Sequence, residues 1–382
     1  MRDAMNTGSA VDPDGLMEFS VVFTDRSLNS MSRAFQGVMT DISAMLKEVY
    51  AATAVAIVPG GGTFAMEAVA RQFGGGAHCM IVRNGWFSYR WSQIIDAGGF
   101  AAQTTVKMAA RSGNAHQAPY APPPIAEVVQ AILEARPDVV FAPHVETSAG
   151  LILPDDYITA MAAAAHDVGA LMVLDCIASG CVWVDMAATG VDVLISAPQK
   201  GWSATPCAGL VMLSDRAVAR LAETTSTSFA GDLKKWRQIM QAYEDGGHAY
   251  HATMPTDGLR AFRDAMVETQ GVGFEAVKAA QWGLGRAVRA HLAGLGVQSV
   301  AAAGFEAPGV VVSYTDEPAV KSGKAFMAEG MQIAAGVPLQ VGEPDDFMTF
   351  RLGLFGLDKL VDVDATLARL TPVLDRVLAA KA

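Results

Sequence analysis

The sequence predicts an α/β protein with a mostly parallel, doubly wound sheet in a large domain and a smaller C-terminal α/β domain. Three observations predict it. Short apolar runs alternate with helical patterns from about residue 50 to about residue 215. The runs are uninterrupted rather than alternating with polar residues, so the sheet should be buried on both faces and largely parallel. After Leu259 the texture changes, and a long helical pattern leads into a second, separate alternation. Strands alternating with helices are the mark of a doubly wound sheet.

The expected strands are ATAVAIVP (52–59), HCMIVRN (78–84), DVVFAP (138–143), ALMVLD (170–175), VDVLISA (191–197) and AGLVMLS (208–214). Between them lie the helical stretches FAMEAVARQF (64–73), PPIAEVVQAILEAR (123–136) and PDDYITAMAAAAHDVG (154–169). One long helix is expected over roughly 257–293. Then follow strand-like GVQSV (296–300) and GVVVSY (309–314), a helix near 318–335, the strand FMTFRLG (347–353) and a last helix over 363–380. The domain division is a short N-terminal segment (1–20), a large domain (21–260) and a small domain (261–382).

Composition narrows the class. The chain has 382 residues, long enough for a large domain plus a smaller one. Apolar residues make up 51% and charged residues 18%, which excludes disorder over most of the length. A net charge of -11 argues against a nucleic-acid binder, because phosphates in rows need rows of cations. No uncharged apolar stretch reaches the ~18–20 residues that span a bilayer, so no membrane partner is expected. The start, MRDAMNTGSAVDPDG, has no apolar core of a signal peptide. Cys79, Cys176, Cys181 and Cys207 show no paired metal spacing and are expected to be reduced and buried, in a cytoplasmic setting.

In open α/β sheets ligands sit beyond the carboxyl ends of the strands. Four strand ends stand out. PGGGTF (59–64) joins a strand to a helix, and Gly61, Gly62 and Thr63 offer free N–H groups to a phosphate. NGWFSYRW (84–91) supplies aromatics that are core residues or, in one case, a ring to stack on a flat ligand. Asp175 ends an apolar strand, either capping the next loop or pairing with a protonated ring nitrogen. Lys200, in SAPQKGW, is a surface-loop lysine or, in a partly dry pocket, a nucleophilic amine. A phosphate cradle, a stacking ring, an acid and a nucleophilic lysine together are what pyridoxal 5'-phosphate requires.

With these residues in hand, the chain resembles a class V aminotransferase of pyridoxal-phosphate fold type I, in the alanine–glyoxylate and serine–glyoxylate branch. The blocks that carry the resemblance are PGGGTFAMEA, NGWFSYRW, HVETSAGLILP, DCIASGCVWVD, SAPQKGW, YHATMP and FRLG, and the likeness runs from about residue 20 to the end. The resemblance implies that Lys200 is the Schiff-base lysine and that Asp175 pairs with the pyridine nitrogen. It puts Phe87 on one ring face, in place of the usual tryptophan, with Trp86 as a neighbouring alternative. Ile177 falls on the other face and Thr147 near the ring's phenolic oxygen. Gly62, Thr63 and Gln199 hold the phosphate, and Tyr250 and Thr253 of a partner subunit complete that site, so a homodimer with a shared active site is implied. Arg351 matches the arginine that forks onto a substrate carboxylate.

The reaction implied is a ping-pong transfer of an amino group from a small amino acid to a small 2-oxo acid such as glyoxylate or pyruvate. The alternatives are a 2-aminoethylphosphonate-type transaminase and a cysteine desulfurase or other lyase on the same fold. Gln199 and Phe87 stand where desulfurases usually carry histidines, and no cysteine follows Cys207. The segment MEFSVVFTDRSLNSMSRAF (17–35) replaces the family's usual Gly-Pro-rich start, which leaves substrate identity open. His248 and His251 lack the further ligands that a metal needs. His144 reads as a hydrogen-bonded core histidine, and Lys234, Lys235 and Arg237 beside Trp236 read as a solvated helix face or interface. An oxidoreductase built on the glycine turn would need an acidic ribose ligand after HCMIVRN, and Asn84 stands there instead.

Overall fold

A computed structural model of the chain describes residues 16–379. Residues 1–15, most of the expected N-terminal segment, lie outside the described residues, as does residue 380 at the end of the expected last helix. The central sheet holds β1 (Ala54–Pro59), β2 (His78–Arg83), β3 (Gln103–Met108), β4 (Val139–Pro143), β5 (Leu171–Asp175), β6 (Val193–Ser196) and β7 (Ala208–Leu213). Their order across the sheet is β1-β7-β6-β5-β4-β2-β3. β7 runs antiparallel to both neighbours, pairing Ala208 with Pro59 and Leu210 with Ser196, and the remaining pairings are parallel.

Every residue of β4, β5, β6 and β7 is buried, as a sheet covered on both faces requires. β3 differs: its residues QTTVKM are exposed or half-buried because it closes an edge of the sheet. A polar edge strand resists pairing with another chain, and it offers no apolar run to a sequence reading. Two helices follow the first two strands directly, α1 (Gly62–Phe73) after β1 and α2 (Trp86–Gly98) after β2. Gly209 on β7 lets α1 come close, since a Cβ there would lie 2.8 Å from the Gly61 carbonyl oxygen.

The C-terminal part departs from the expected elements in three places. Two helices, Thr256–Val272 and Phe274–Gly294, replace one long helix. They are divided at Gly273, whose φ of 101° is a conformation that side-chain-bearing residues rarely adopt. The expected strand 296–300 makes only single bridges, Ser299 to Ser313 and, just beyond it, Ala301 to Tyr120. The expected helix near 318–335 is two short helices, Pro318–Lys321 and Lys324–Ala328, separated by Gly323 at φ 78° and followed by a short strand. The small sheet comprises β8 (Val310–Tyr314), β9 (Ala334–Ala335) and β10 (Thr349–Gly353), antiparallel in the order β8-β10-β9. It brings Arg351, on β10, towards the carboxyl edge of the large sheet, where it shares a cavity with Lys200.

Candidate active site

Lys200 lies in the loop after β6. Its carbonyl accepts from Ser203 N at 3.1 Å and that of Pro198 accepts from Ala204 N at 3.0 Å, which closes a tight turn. Gly201 beside it has no room for a Cβ, because the Gly180 backbone is there, and Cys181 Sγ donates to the Gly201 carbonyl at 3.3 Å. The turn points the lysine inward, and its Nζ sits 5.4 Å from the Phe355 ring centroid. Burial, and then the nearby Arg351 guanidinium, hold the ammonium below the ordinary lysine range. Such a lysine reaches its neutral, nucleophilic form more readily than one in water.

Asp175 ends β5 with 7% exposure. Its carboxylate accepts from Ile177 N at 2.9 Å, and its carbonyl accepts from His144 N at 2.8 Å. Burial pushes the carboxyl up to about 7, and the charge of Glu146 adds to the rise. The Ile177 N–H and Arg90 pull the other way without cancelling it. Among the described residues no ion pair reaches Asp175, so a cation beside it would be stabilised by the carboxylate and would in turn keep it ionised.

The third component is the start of α1. Gly61 is its N-cap, no side chain caps the first turn, and no acid lies in it. The first N–H groups of a helix have no intrahelical acceptor, so this end is an anion site. Gly62 allows close approach of Ile177, whose Cδ1 would lie 2.5 Å from a Cβ at that position. Arg90 Nη1 donates to Thr63 Oγ1 at 2.9 Å. Gln199 Oε1 is buried without a partner in the described residues.

One cavity of about 400 Å³ is lined by Gly62, Thr63, Phe87, Thr147, Asp175, Ile177, Gln199, Lys200 and Arg351. Phe87 has a guanidinium at either hand: Arg90 Cζ is 5.3 Å and Arg351 Cζ 5.6 Å from its ring centroid. Arg351 Nε donates to the Ala335 carbonyl at 2.9 Å, and burial holds its guanidinium below the usual arginine range. Trp86, the neighbouring alternative to Phe87, packs edge-on against Tyr89 and does not line the cavity. Tyr250 and Thr253 do not reach it either: Tyr250 is 63% exposed, with its hydroxyl 3.3 Å from Thr253 Oγ1. The donor set fits pyridoxal phosphate: an anion-seeking helix end, an uncompensated carboxylate, a flat ring wall and a partly dry lysine share one space.

Three residues of the site carried no role in the sequence reading. Arg90 and Glu146 lie inside blocks quoted for their neighbours, and the available signal for Glu146 was an acid three residues beyond an apolar strand. Phe355 lies two residues beyond the FRLG block. Of the side residues, His144 is buried, bonds Ser179 Oγ through Nδ1 at 2.7 Å, and is pushed down to about 3 by burial, so it is a neutral core histidine. His251 bonds the Phe229 carbonyl, and Trp236 is buried with its Nε1 on the Ala230 carbonyl. Among the described residues no group of three or more His, Cys, Asp or Glu could hold a metal ion, and no helix is long and apolar enough to cross a membrane.

The sequence profile of the family described as "Aminotransferase class-V" matches residues 19–315. A protein of Burkholderia mallei (strain SAVP1) named 2-aminoethylphosphonate–pyruvate transaminase is 30% identical over 309 residues, 78% of this chain and 76% of its own. A protein of Synechococcus sp. (strain PCC 6716) named "Soluble hydrogenase, small subunit" is 27% identical over 348 residues, 90% of this chain and 86% of its own. Among solved structures, alanine–glyoxylate aminotransferase from Nostoc sp. superposes with a TM-score of 0.76 at 22% identity, covering 91% of this chain and 88% of that one. Ureidoglycine–glyoxylate aminotransferase from Bacillus subtilis gives 0.73 at 21% identity, with 95% and 89% covered. The last two share the fold, and the profile and the Burkholderia relative supply the family: the chain belongs to the class V aminotransferases and is a pyridoxal-phosphate-dependent aminotransferase of fold type I.

Proposed function

We propose that the enzyme transfers an amino group from a small amino acid to a small 2-oxo acid such as glyoxylate or pyruvate, by a ping-pong reaction. The observation that carries this reading is that Lys200 and Arg351 open on the same cavity of about 400 Å³ that ends on Asp175. Bound pyridoxal phosphate supplies an electron sink for the charge left when an α-proton departs. Asp175 gives the ring nitrogen its anionic partner. Gly61, Gly62 and Thr63, with Gln199, receive the phosphate at the start of α1. Phe87 and Ile177 would hold the ring between them, with Thr147 beside it, since all three line the cavity.

Lys200 Nζ takes the α-proton and later returns one, a task helped by the burial that favours its neutral form. Arg351 spends Nε on the Ala335 carbonyl, which leaves the two terminal nitrogens to fork onto a carboxylate. Held there, the substrate presents its α-bond to Lys200 in one orientation, which removes an entropic part of the barrier. A cavity that must hold the cofactor as well leaves room for a small substrate.

The phosphate site is completed by Tyr250 and Thr253 of a second copy, so the enzyme is read as a homodimer. The support is that Tyr250 is 63% exposed on its own chain, and that Phe64 and Phe229 are exposed at 62% and 81%. Tyr250→Phe should then weaken cofactor retention although Tyr250 does not line its own chain's cavity, and light scattering should give twice the chain mass. Four unpaired, buried thiols support a reducing, cytoplasmic setting.

The test is single turnover: the holoenzyme is mixed with one amino acid at a time and the cofactor's visible absorbance is followed. Small amino acids should bleach it, and glyoxylate or pyruvate should restore it. A panel in which nothing bleaches, or bleaching that no oxo acid reverses, sinks the reading. A second reading, with 2-aminoethylphosphonate as donor and pyruvate as acceptor, is favoured by the Burkholderia relative. An aminophosphonate that bleaches faster than every amino carboxylate would select it, with Arg351 on the phosphonate. A desulfurase is disfavoured, because the four cysteines are buried and none lines the cavity.

A further inference from the structure

We propose that Glu146 is a positioning residue whose buried carboxylate fixes Phe87 and Thr147 against the cofactor ring. The proposal rests on the reading above that Phe87 and Thr147 contact that ring. Glu146 is fully buried, at 0% exposure, and does not line the cavity. Its Oε1 accepts from Phe87 N at 3.2 Å, Ser148 N at 3.0 Å and Ser148 Oγ at 2.7 Å. Its Oε2 accepts from Ser88 N at 2.8 Å and Ser88 Oγ at 2.7 Å. Ser148 Oγ also accepts from Trp86 N at 2.9 Å. The N–H groups of Trp86, Phe87 and Ser88 in the first turn of α2 are therefore met by residues on either side of Thr147, while the helix's own Ser88 Oγ accepts from Asn84 N and Gly85 N just before it.

Three backbone N–H groups face the two oxygens, and a backbone N–H cannot become an acceptor. An amide in place of the acid would set its NH2 against at least one of them. A carboxylate charge buried without a cation is costly, and here the helix end and the charge-assisted hydrogen bonds offset that cost. The space is closed as well: a Cβ on Gly85 would lie 2.7 Å from Glu146 Cγ. One buried anion thus ties α2, which carries Phe87, to the β4 loop, which carries Thr147. Moving it moves one wall and the edge of the ring site together.

The test titrates apoenzyme with pyridoxal phosphate. Glu146→Gln keeps the shape and sets an NH2 against backbone donors, so the cofactor dissociation constant should rise about tenfold, the size of one lost charge-assisted hydrogen bond. Phe87→Ala should also weaken binding. The double variant should lose clearly less than the product of the two single losses, because Glu146 acts through Phe87. A full product of losses overturns the proposal. So does a Glu146→Gln protein that melts early yet binds the cofactor as tightly as wild type, because that is a structural role alone.

If Glu146→Gln does not fold, Ser148→Ala takes its place. It removes one hydroxyl from between the carboxylate and Trp86 N, with a loss of a few-fold that is again sub-multiplicative with Phe87→Ala. An unchanged constant in Ser148→Ala overturns the proposal. Wild-type apoenzyme that ignores the cofactor overturns the functional reading and this inference together. An unchanged constant in Phe87→Ala overturns the ring-wall assignment, and with it this inference, while amino-group transfer stands.

Discussion

α1 and α2 begin on the same edge of the same sheet, each directly after a strand, and their first turns are treated in opposite ways. At α2, Ser148 and Glu146 meet the N–H groups of Trp86, Phe87 and Ser88, and Ser88 Oγ meets those of Asn84 and Gly85, all with the protein's own oxygens. At α1, Gly61 provides no side-chain cap and the first turn carries no acid. Both helix ends carry the same partial positive charge. The chain that fills one with a buried carboxylate leaves the other facing the cavity. The contrast teaches that an uncapped helix start is informative when a capped one stands beside it: the unmatched donors are where an anion from outside belongs.

The strongest way to break the contrast is to make α1 resemble α2. Gly61 has an extended backbone, φ −170°, and open space beside it, with nothing within 4 Å of where a Cβ would stand. Gly61→Asp would place a carboxylate at the N-cap. It should stabilise the apoenzyme by roughly a few tenths of a kcal/mol, the margin of an N-cap acid over glycine. The same charge should repel a phosphate and weaken cofactor binding about a hundredfold, since two anions then compete for one set of donors. Gly61→Ala is the control and should leave affinity within a few-fold. A Gly61→Asp enzyme that binds the cofactor like wild type would place the phosphate elsewhere.

The next effect is a pH dependence at the far end of the ring site. Burial raises the Asp175 carboxyl to about 7 from an ordinary 3.8. Between those values the folded apoenzyme binds a proton that the unfolded chain has released, so stability from this group falls as pH rises across the window and levels off above about 7. His144, pushed down to about 3, contributes the opposite slope below its ordinary 6.5, and it is present in both proteins of the comparison. The melting temperature of apo Asp175→Asn minus that of apo wild type should therefore climb with pH from about 4 to about 7. A flat difference would mean that Asp175 is already paired within the chain. Loading wild type with cofactor should flatten its slope, because a ring cation lowers the carboxyl again.

The same contrast marks what the sequence could show. Asp175, Lys200 and the glycine turn were legible because each sits at a strand end, and strand ends of a doubly wound sheet share one edge. Arg351 and Phe87 came from the resemblance, and the fold brings both to the cavity. Glu146 was not legible as a clamp: its partners Phe87 and Ser88 lie 59 and 58 residues away, and only the β2–β4 pairing brings them together. The division of the long helix rests on one φ angle at Gly273, and β3 has the polar pattern of an edge. Tyr250 and Thr253 came from the resemblance alone, and neither lines the cavity of its own chain.

The smallest effect sharpens the uncapped side. Arg90 Nη1 donates to Thr63 Oγ1 at 2.9 Å and lines the cavity, so it lends positive charge to the cradle from a half-buried position through an exposed hydrogen bond. Exposed charges contribute little, and salt screens them over about 10 Å at 0.1 M. Arg90→Ala should raise the cofactor dissociation constant about threefold at low ionic strength and leave almost no difference in strong salt. Arg90→Lys should recover most of the low-salt loss, because the interaction is with a charge and not with a shaped acceptor. A loss that persists in strong salt would instead mean that Arg90 works through its contact with the Phe87 ring, at 5.3 Å, and belongs to the wall rather than to the cradle.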